Sequence, residues 1–345
     1  MGTYRKTPTI RDVAEAAGVS ISTVSNVIYQ KQGYYSPSTA QRVWAAVEKL
    51  GYRPNHIARS LARRRTFTIG VVVEAPLGFV SHNAYFGLML DGILHEAGSR
   101  EYQVKIIKVP ADSPEKAINY IEDGSVDGVV LSALFADNPL LKRMERSFVF
   151  AVVAGSIPPA IRLPCVDVDD ISATYQAVHW LIELGHRRIG IITGDMNQWS
   201  AKRREQGYLM ALREAGLEAN PAWRVEGNYR MESGQVGIVQ LLRADPRPTA
   251  VVCGNDKMAI GALHTLREMG VTVPHEISII GFDDSEEAAF VSPPLTTIRQ
   301  SPFDIGLHAA EMLLRQIEAG KRLQRNLILP AEMIIRQTVA PPLQR

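Results

Sequence analysis

Ser20, Ile21, Ser22, Thr23, Ser25 and Asn26 gather hydroxyls, one amide and one apolar side chain into seven positions, and the chemistry open to that set is hydrogen bonding to another surface. At helical spacing Val24, Val27 and Ile28 share one face, while Ile21, Ser22, Ser25 and Asn26 share the opposite one. Small polar residues on an exposed face let a helix backbone approach a major groove, where hydroxyl and amide groups meet base edges. The Asn26 amide carries the donor and acceptor that bond adenine bidentately. A generic helical hairpin is the plain alternative for the same run.

The elements that must position this face are legible around it. Thr9 can cap a helix and Asp12, three residues on, can return the bond, so a short helix is expected from Ile10 to Gly18, with Val13, Ala14 and Ala17 on its apolar side. A second helix starts at Ser20. A third is expected from the Ser36 cap and Pro37, through Val43, Val47 and Leu50, to Gly51. Two short helices across a glycine turn, closed by a third, make a helix-turn-helix.

Charge separates this region from the rest. Residues 1 to 67 hold 11 Lys and Arg against 3 Asp and Glu, and the remainder holds 27 against 33, so a basic head precedes a mildly acidic body. Such a head is the electrostatic footprint expected for a phosphate backbone, although a solvated cationic face has the same composition. The 345 residues, 46% hydrophobic and 21% charged, exclude disordered and collagen-like classes. Cys165 and Cys253 stand far apart with no CxxC, so neither a disulfide framework nor a metal site is expected. No run reaches the roughly 18 apolar residues of a membrane span, and the N-terminus is polar where a signal peptide needs an apolar core. The expectation is a cytoplasmic protein without membrane association.

From Thr68 onward, short apolar runs alternate with amphipathic helices: TIGVVVEA, helix 84–99, QVKIIKV, helix 113–123, DGVVLSA, helix 137–146 and FVFAVV. A second series begins near Asp169, with helix 170–184, RRIGIIT, helix 200–215, WRVEG, helix 232–243, AVVCG, helix 255–268 and ISIIGF. The expected body is α/β with two parallel sheets in two lobes, ligands binding at the carboxyl ends of the strands. A nucleotide enzyme is the natural competitor, but GxGxxG, GxxxxGK[ST] and GxSxG are all missing. His186 sits at a helix-to-strand turn, where a capping role is expected and no chemistry is assigned. No catalytic residue and no cofactor is expected.

The runs TIRDVAEAAGVSISTVSN and LGYRPN resemble the headpiece signature of the LacI/GalR family of bacterial transcription regulators, and ELGHRRIGIITG, GND, ISIIGFDD and PPLTTIRQ resemble its periplasmic-binding-protein-like body. The resemblance implies an all-α helix-turn-helix headpiece at 1–53, a hinge helix and linker at 54–66, and a two-lobed effector-binding domain at 67–345. Lobe 1 is expected near 67–168 and 299–329, lobe 2 near 169–298 and 330–340. It further implies DNA contacts from Thr9, Ser20, Ile21, Ser22, Thr23, Ser25, Asn26, Asn55, Ala58 and Leu61. Ile21, Ser22 and Asn26 occupy base-reading positions, and Leu61 matches the hinge leucine that wedges into the minor groove. Many members carry Arg where Asn26 stands, so base reading departs from the common pattern there. The loop YQKQGYY, Tyr29 to Tyr35, is also unusual.

For the interlobe cleft the resemblance implies effector contacts from Asn83, Tyr85, Phe86, Trp199, Arg204, Tyr229, Asn255, Asp256 and Asp283, with Arg204 and Asp283 as a charged clamp. Taken without it, Asp283, Asn255 and Asp256 read as helix caps and Arg204 as a surface ion pair. The implied protein is a homodimeric repressor that reads a pseudo-palindromic double-stranded operator under control of a small-molecule effector, with a carbohydrate as the expected class. The tail RQTVAPPLQR has no leucine heptads, so no C-terminal coiled coil is expected.

Overall fold

The computed structural model describes residues 8–31, 33–53, 65–74, 83–109, 113, 115–132, 134–323 and 325–343, and divides into two compact units, Met1–Phe67 and Thr68–Arg345. The first unit is three helices: α1 (Ile10–Ala17), α2 (Ile21–Ile28) and α3 (Pro37–Leu50). Each begins where a hydroxyl can replace a missing backbone partner. The Thr9 amide donates to Asp12 Oδ2 at 2.7 Å and the Asp12 amide donates to Thr9 Oγ1 at 3.4 Å, a reciprocal capping box. Ser20 Oγ accepts from the Thr23 amide, and Ser36 Oγ from the Thr39 amide. Gly18 and Gly51 end α1 and α3 at φ of 63° and 62°, a conformation in which a side chain would be strained. Val13, Ala14, Ala17, Val24, Val27, Val43, Ala46 and Tyr52 close a small core between the helices.

The second unit carries two parallel sheets. In the first, β1 (Thr68–Val73), β2 (Gln103–Lys108), β3 (Gly128–Ser132), β4 (Phe150–Ala154), β5 (Cys165–Val168) and β11 (Leu327–Leu329) lie in the order β11-β5-β4-β3-β1-β2. The helices α4 (Ala84–Ser99), α5 (Glu115–Glu122) and α6 (Pro139–Arg146) connect its early strands. In the second, β6 (Ile189–Thr193), β7 (Arg224–Glu226), β8 (Ala250–Cys253) and β9 (Ser278–Ile280) lie in the order β7-β6-β8-β9. These strands are served by α7 (Asp170–Glu183), α8 (Trp199–Glu214), α9 (Met231–Leu242), α10 (Asp256–Glu268) and the short α11 (Glu286–Phe290). The central strands are buried along their whole length, which is why they read as unbroken Val/Ile/Leu runs rather than alternating ones.

Three passages join the two sheets. The chain leaves the first after Val168, and β10 (Thr297–Arg299) runs beside the second, where single bridges tie Thr296 to Ile280 and Arg299 to Asp283. It then returns as α12 (Pro302–Ala319) and β11, which pairs with β5, and crosses again to β12 (Glu332–Ile334), antiparallel to β10. The return helix seats closely on α4. A Cβ at Gly92 would lie 2.0 Å from the Phe303 carbonyl oxygen, and one at Gly306 would lie 1.9 Å from that of Met89, so only glycine lets the two backbones approach this far. His186 departs from its expected capping role: its buried ring lies 2.9 Å from both Thr249 Oγ1 and the Ala340 carbonyl oxygen, and so pins the C-terminal segment to the second sheet.

Candidate DNA interface and effector cleft

In the headpiece, burial follows the helical spacing. Val24 and Val27 are buried, Ile21 and Ser22 are exposed, and Thr23, Ser25 and Asn26 are half-buried. Ile21 is 43% exposed on an otherwise polar helix face. Ser20 is drawn into capping and also lies 2.8 Å from Ser22 Oγ and 2.9 Å from Thr23 Oγ1. Thr9 likewise donates its hydroxyl to Asp12 at 2.8 Å. These hydroxyls hold helix starts, and helix starts suit phosphate contact because their amides are electropositive. Asn55, Ala58 and Leu61 lie outside the described residues.

The body gathers its charges at the carboxyl ends of both sheets. Arg204, on α8, is buried with its Nε 2.8 Å from Asp170 Oδ1 and its Nη1 donating to the Gly254 carbonyl. Its guanidinium carbon lies 3.6 Å from the centre of the Phe282 ring. Asp283 follows β9, and Gln300 Nε2 donates to its Oδ1 at 2.7 Å. The two members of the expected clamp therefore have separate partners, and act on each other through space. Asp283 and Asp284 both hold positive φ, 128° and 56°, which is costly for residues with a Cβ. Asp284 is anchored by Arg299 at 2.7 Å and Arg336 at 2.6 Å.

Tyr229 also holds positive φ, 64°, and its hydroxyl lies 3.1 Å from Ser200 Oγ. A Cβ at Gly194 would overlap the Tyr229 ring, so glycine at the end of β6 makes room for it. Asn255 caps α10 by accepting from the Met258 amide at 3.0 Å, and donates to the Tyr229 carbonyl at 3.1 Å. Asp256 is fully buried, and its carboxylate accepts from the Ser285 amide at 2.7 Å and from the Thr297 hydroxyl. Those bonds set the turn that aims Asp283. Asn83 caps α4 through the Phe86 amide, Phe86 is fully buried, and Trp199 is half-buried at the start of α8 with Lys202 Nζ 5.6 Å from its ring centre.

Electrostatics joins the two lobes. Burial pushes the Tyr85 hydroxyl well above its ordinary value, and the charges of Asp167 and Asp283 push it further, so this side chain of the first lobe lies in the field of both. Burial raises Asp283 to about 7, with Asp256 adding to the shift while Arg204 and Gln300 oppose it. Burial raises Asp167 to about 7 as well, helped by the charge of Asp170. Tyr229 is raised to about 12 by burial against the opposing charge of Arg204. For Arg204 burial lowers the value, but Asp170, Tyr229 and Asp283 outweigh it and hold the guanidinium charged.

Sequence reasoning missed Asp167, Asp170, Ser156, Phe282 and Gln300. The signal for the first two was present as Asp167-Val168-Asp169-Asp170, three acids around the first passage between lobes. Among the described residues no group of three or more His, Cys, Asp and Glu is placed to hold a metal ion, and no helix is long and apolar enough to cross a membrane.

A helix-turn-helix with a groove-sized polar face, joined in one chain to a two-lobed binding body with opposed charges in its cleft, defines a DNA-binding regulator. Residues 9–55 match the model of bacterial regulatory proteins of the lacI family, and residues 178–339 match a periplasmic binding protein-like domain. The transcriptional repressor PurR of Haemophilus influenzae is 34% identical over 337 residues, covering 96% of this chain and 98% of that one. The solved structure of a lac repressor dimer bound to operator and an anti-inducer superposes with a TM-score of 0.86 at 28% identity, covering 97% of this chain and 100% of that one. A transcriptional regulator CelR in complex with cellobiose superposes with a TM-score of 0.75 at 31% identity, over 96% of this chain and 99% of that one. The chain belongs to the lacI family of DNA-binding transcription regulators.

Proposed function

We propose that the protein is a cytoplasmic, homodimeric repressor whose hold on a pseudo-palindromic operator is set by a carbohydrate in the cleft between the lobes. The observation that carries the effector reading is the meeting of Arg204, Tyr229 and Asp283 of the second lobe with Tyr85 of the first in one electrostatic cluster. A guanidinium, two phenols and a carboxylate supply donors and acceptors for several hydroxyls, while ring faces cover sugar CH patches. The cellobiose held by the CelR relative supports a sugar as the class. Asn255 and Asp256 act one step back, fixing Tyr229 and the Asp283 turn.

On the DNA side, Ile21, Ser22 and Asn26 read base edges, and Thr9, Ser20, Thr23 and Ser25 position α2 on phosphates. Asn55, Ala58 and Leu61 form the hinge, with Leu61 wedging a base step, by likeness to the family's signature. Effector binding changes the angle between the lobes and with it the spacing of the paired hinges, and the coupling is reciprocal. No enzymatic step is needed for this reading, and none of the motifs for one is present.

The test is selection of bound sequences from random duplex DNA by the purified full chain, with Leu61→Ala alongside, followed by a mono- and disaccharide screen on the recovered operator. A pseudo-palindrome that one sugar releases or tightens, with specificity lost in Leu61→Ala, is the expected result. Absence of any enriched site rejects the operator reading, and an operator indifferent to every sugar while responding to a nucleobase or a protein fraction rejects the carbohydrate.

A further inference from the structure

Four residues form a continuous polar chain across the first passage between the lobes. Ser156, in the loop after β4, places its Oγ within hydrogen-bond reach of Asp167 Oδ2 and 2.9 Å from Asp170 Oδ2. Asp167 belongs to β5 of the first lobe, and Asp170 is the first residue of α7 in the second. The other oxygen of Asp170 accepts from Arg204 Nε at 2.8 Å. Both carboxyls are buried, and a hydroxyl has a single proton to donate. With both acids ionised, one Ser156–carboxylate contact would set two acceptors face to face in a low-dielectric setting, which is unfavourable.

The contradiction disappears if one acid keeps its proton. Asp170 has the Arg204 guanidinium beside it, whereas among the described residues no cationic side chain lies within ion-pairing distance of Asp167. The charged and titratable groups facing Asp167 are Asp170 from α7, Arg203 from α8, Cys165 from its own strand and Tyr85 from α4. Arg203 is committed mainly to Asp169, its Nη2 lying 3.2 Å from that carboxylate. Asp167 is thus the member that holds the proton, in agreement with its raised affinity for one.

We propose that protonated Asp167 donates to Ser156, Ser156 donates to Asp170, and Asp170 so fixed positions the Arg204 guanidinium in the cleft, making Asp167, Ser156 and Asp170 positioning residues that tie the two lobes by one shared proton. When Asp167 releases the proton to solvent, the Ser156 hydroxyl must choose between two carboxylates, and the tie to Asp170 and Arg204 is loosened. The inference goes beyond the reading of the cleft as an effector site. Its test needs no ligand, so a fruitless sugar screen leaves it standing, and its own failure leaves the effector reading intact.

The experiment follows arginine Nε–H resonances of the deuterated full chain, made with isotope-labelled arginine, through a titration from about pH 5 to about pH 9, a range that spans ordinary and raised carboxyl values. The Arg204 signal is assigned by its loss in Arg204→Lys. Because Asp283 also titrates within the field of Arg204, the comparison is made in the Asp283→Asn background, where the expected result is a shift of the Arg204 signal with one midpoint near neutrality. In Asp167→Asn, whose amide donates to Ser156 without titrating, the signal keeps its low-pH position throughout. In Ser156→Ala the signal no longer follows the titration of Asp167. A purely structural role for these residues would alter stability and leave no titration in the Arg204 signal. An Arg204 resonance that is constant across the range in the Asp283→Asn chain, or that titrates unchanged in Asp167→Asn, overturns the proposal. Asp167→Asn and Ser156→Ala are isosteric or smaller, and neither removes the Asp170 carboxylate from its Arg204 partner.

Discussion

The Arg204 guanidinium carbon lies over Phe282, 3.6 Å from the ring centre, while its Nε is held by Asp170. A planar cation stacked on one face and hydrogen-bonded along one edge is fixed in orientation, which a flexible ammonium cannot reproduce. Arg204→Lys should therefore leave operator binding in place and abolish the response to the effector, read as a flat titration of operator complex against ligand. Arg204→Ala removes the partner of a buried carboxylate and should destabilise the body by about 3–5 kcal/mol, measured by urea unfolding. An Arg204→Lys chain with a normal effector response would remove this residue from the ligand site.

Phe282 bears on the same point from the other side. It is fully buried, so Phe282→Leu should lose about 1–3 kcal/mol through incomplete filling together with the stacking contact. The informative reading is the split between the two losses. If effector affinity falls tenfold or more while the urea midpoint moves little, the ring acts by orienting Arg204. If only the midpoint moves, Phe282 is core and nothing more.

Asp283 gives the body a dependence on pH whose sign can be worked out. Its folded value is raised to about 7, above the ordinary carboxyl range, so between roughly pH 4 and pH 7 the folded state binds the extra proton. Stability contributed by that proton is complete below the unfolded value and is lost as the pH rises through the folded one. Asp283→Asn keeps an oxygen to accept from Gln300 and cannot ionise, so it should lessen this fall in the unfolding midpoint and leave the part that Asp167 contributes. A variant as pH-dependent as the wild-type chain would assign the effect to other groups.

His186 has the opposite sign. Burial lowers its value below the ordinary one, with the hydrogen bond to the Ala340 carbonyl opposing, so the folded state resists protonation. Stability should decline as the pH falls through the ordinary His value of about 6.5 toward the lower folded one. His186→Ala should remove that acid-side decline and cost about 1–3 kcal/mol at neutral pH, from the unmet Thr249 and Ala340 groups. Faster amide exchange in the segment from Thr338 to Ala340 would show that the ring is what pins it.

The fold was legible wherever a local signal decided it. Thr9 with Asp12, Ser20 and Ser36 with Pro37 mark where the three headpiece helices begin, because caps are made within one turn. The buried Val/Ile runs likewise mark the parallel strands. Side-chain partnership between distant parts of the chain was not legible, because it depends on long-range placement. Arg204 and Asp283 were expected as a charged clamp on a ligand, and nothing in the sequence marked Asp170 and Gln300 as the side chains that hold them. His186 misled for the same reason, since its two partners lie 63 and 154 residues away.

The recognition helix offers the sharpest separation of contact from architecture. Ile21 is exposed and Asn26 half-buried, whereas Val24 is fully buried in the three-helix core between them. Asn26→Ala should therefore leave headpiece stability within about 0.5 kcal/mol, since it removes no core contact. It should weaken the selected operator by about 1–3 kcal/mol relative to a scrambled duplex if the amide reads a base bidentately, and relax selection at one position in each half-site. Val24→Asn buries an amide without a partner, and should melt the headpiece and abolish specific and non-specific binding together. Competition of labelled operator against both duplexes, with circular dichroism on the same samples, distinguishes the two. Equal loss on operator and scrambled duplex in Asn26→Ala would make Asn26 a phosphate contact, and base reading would then rest on Ile21 and Ser22.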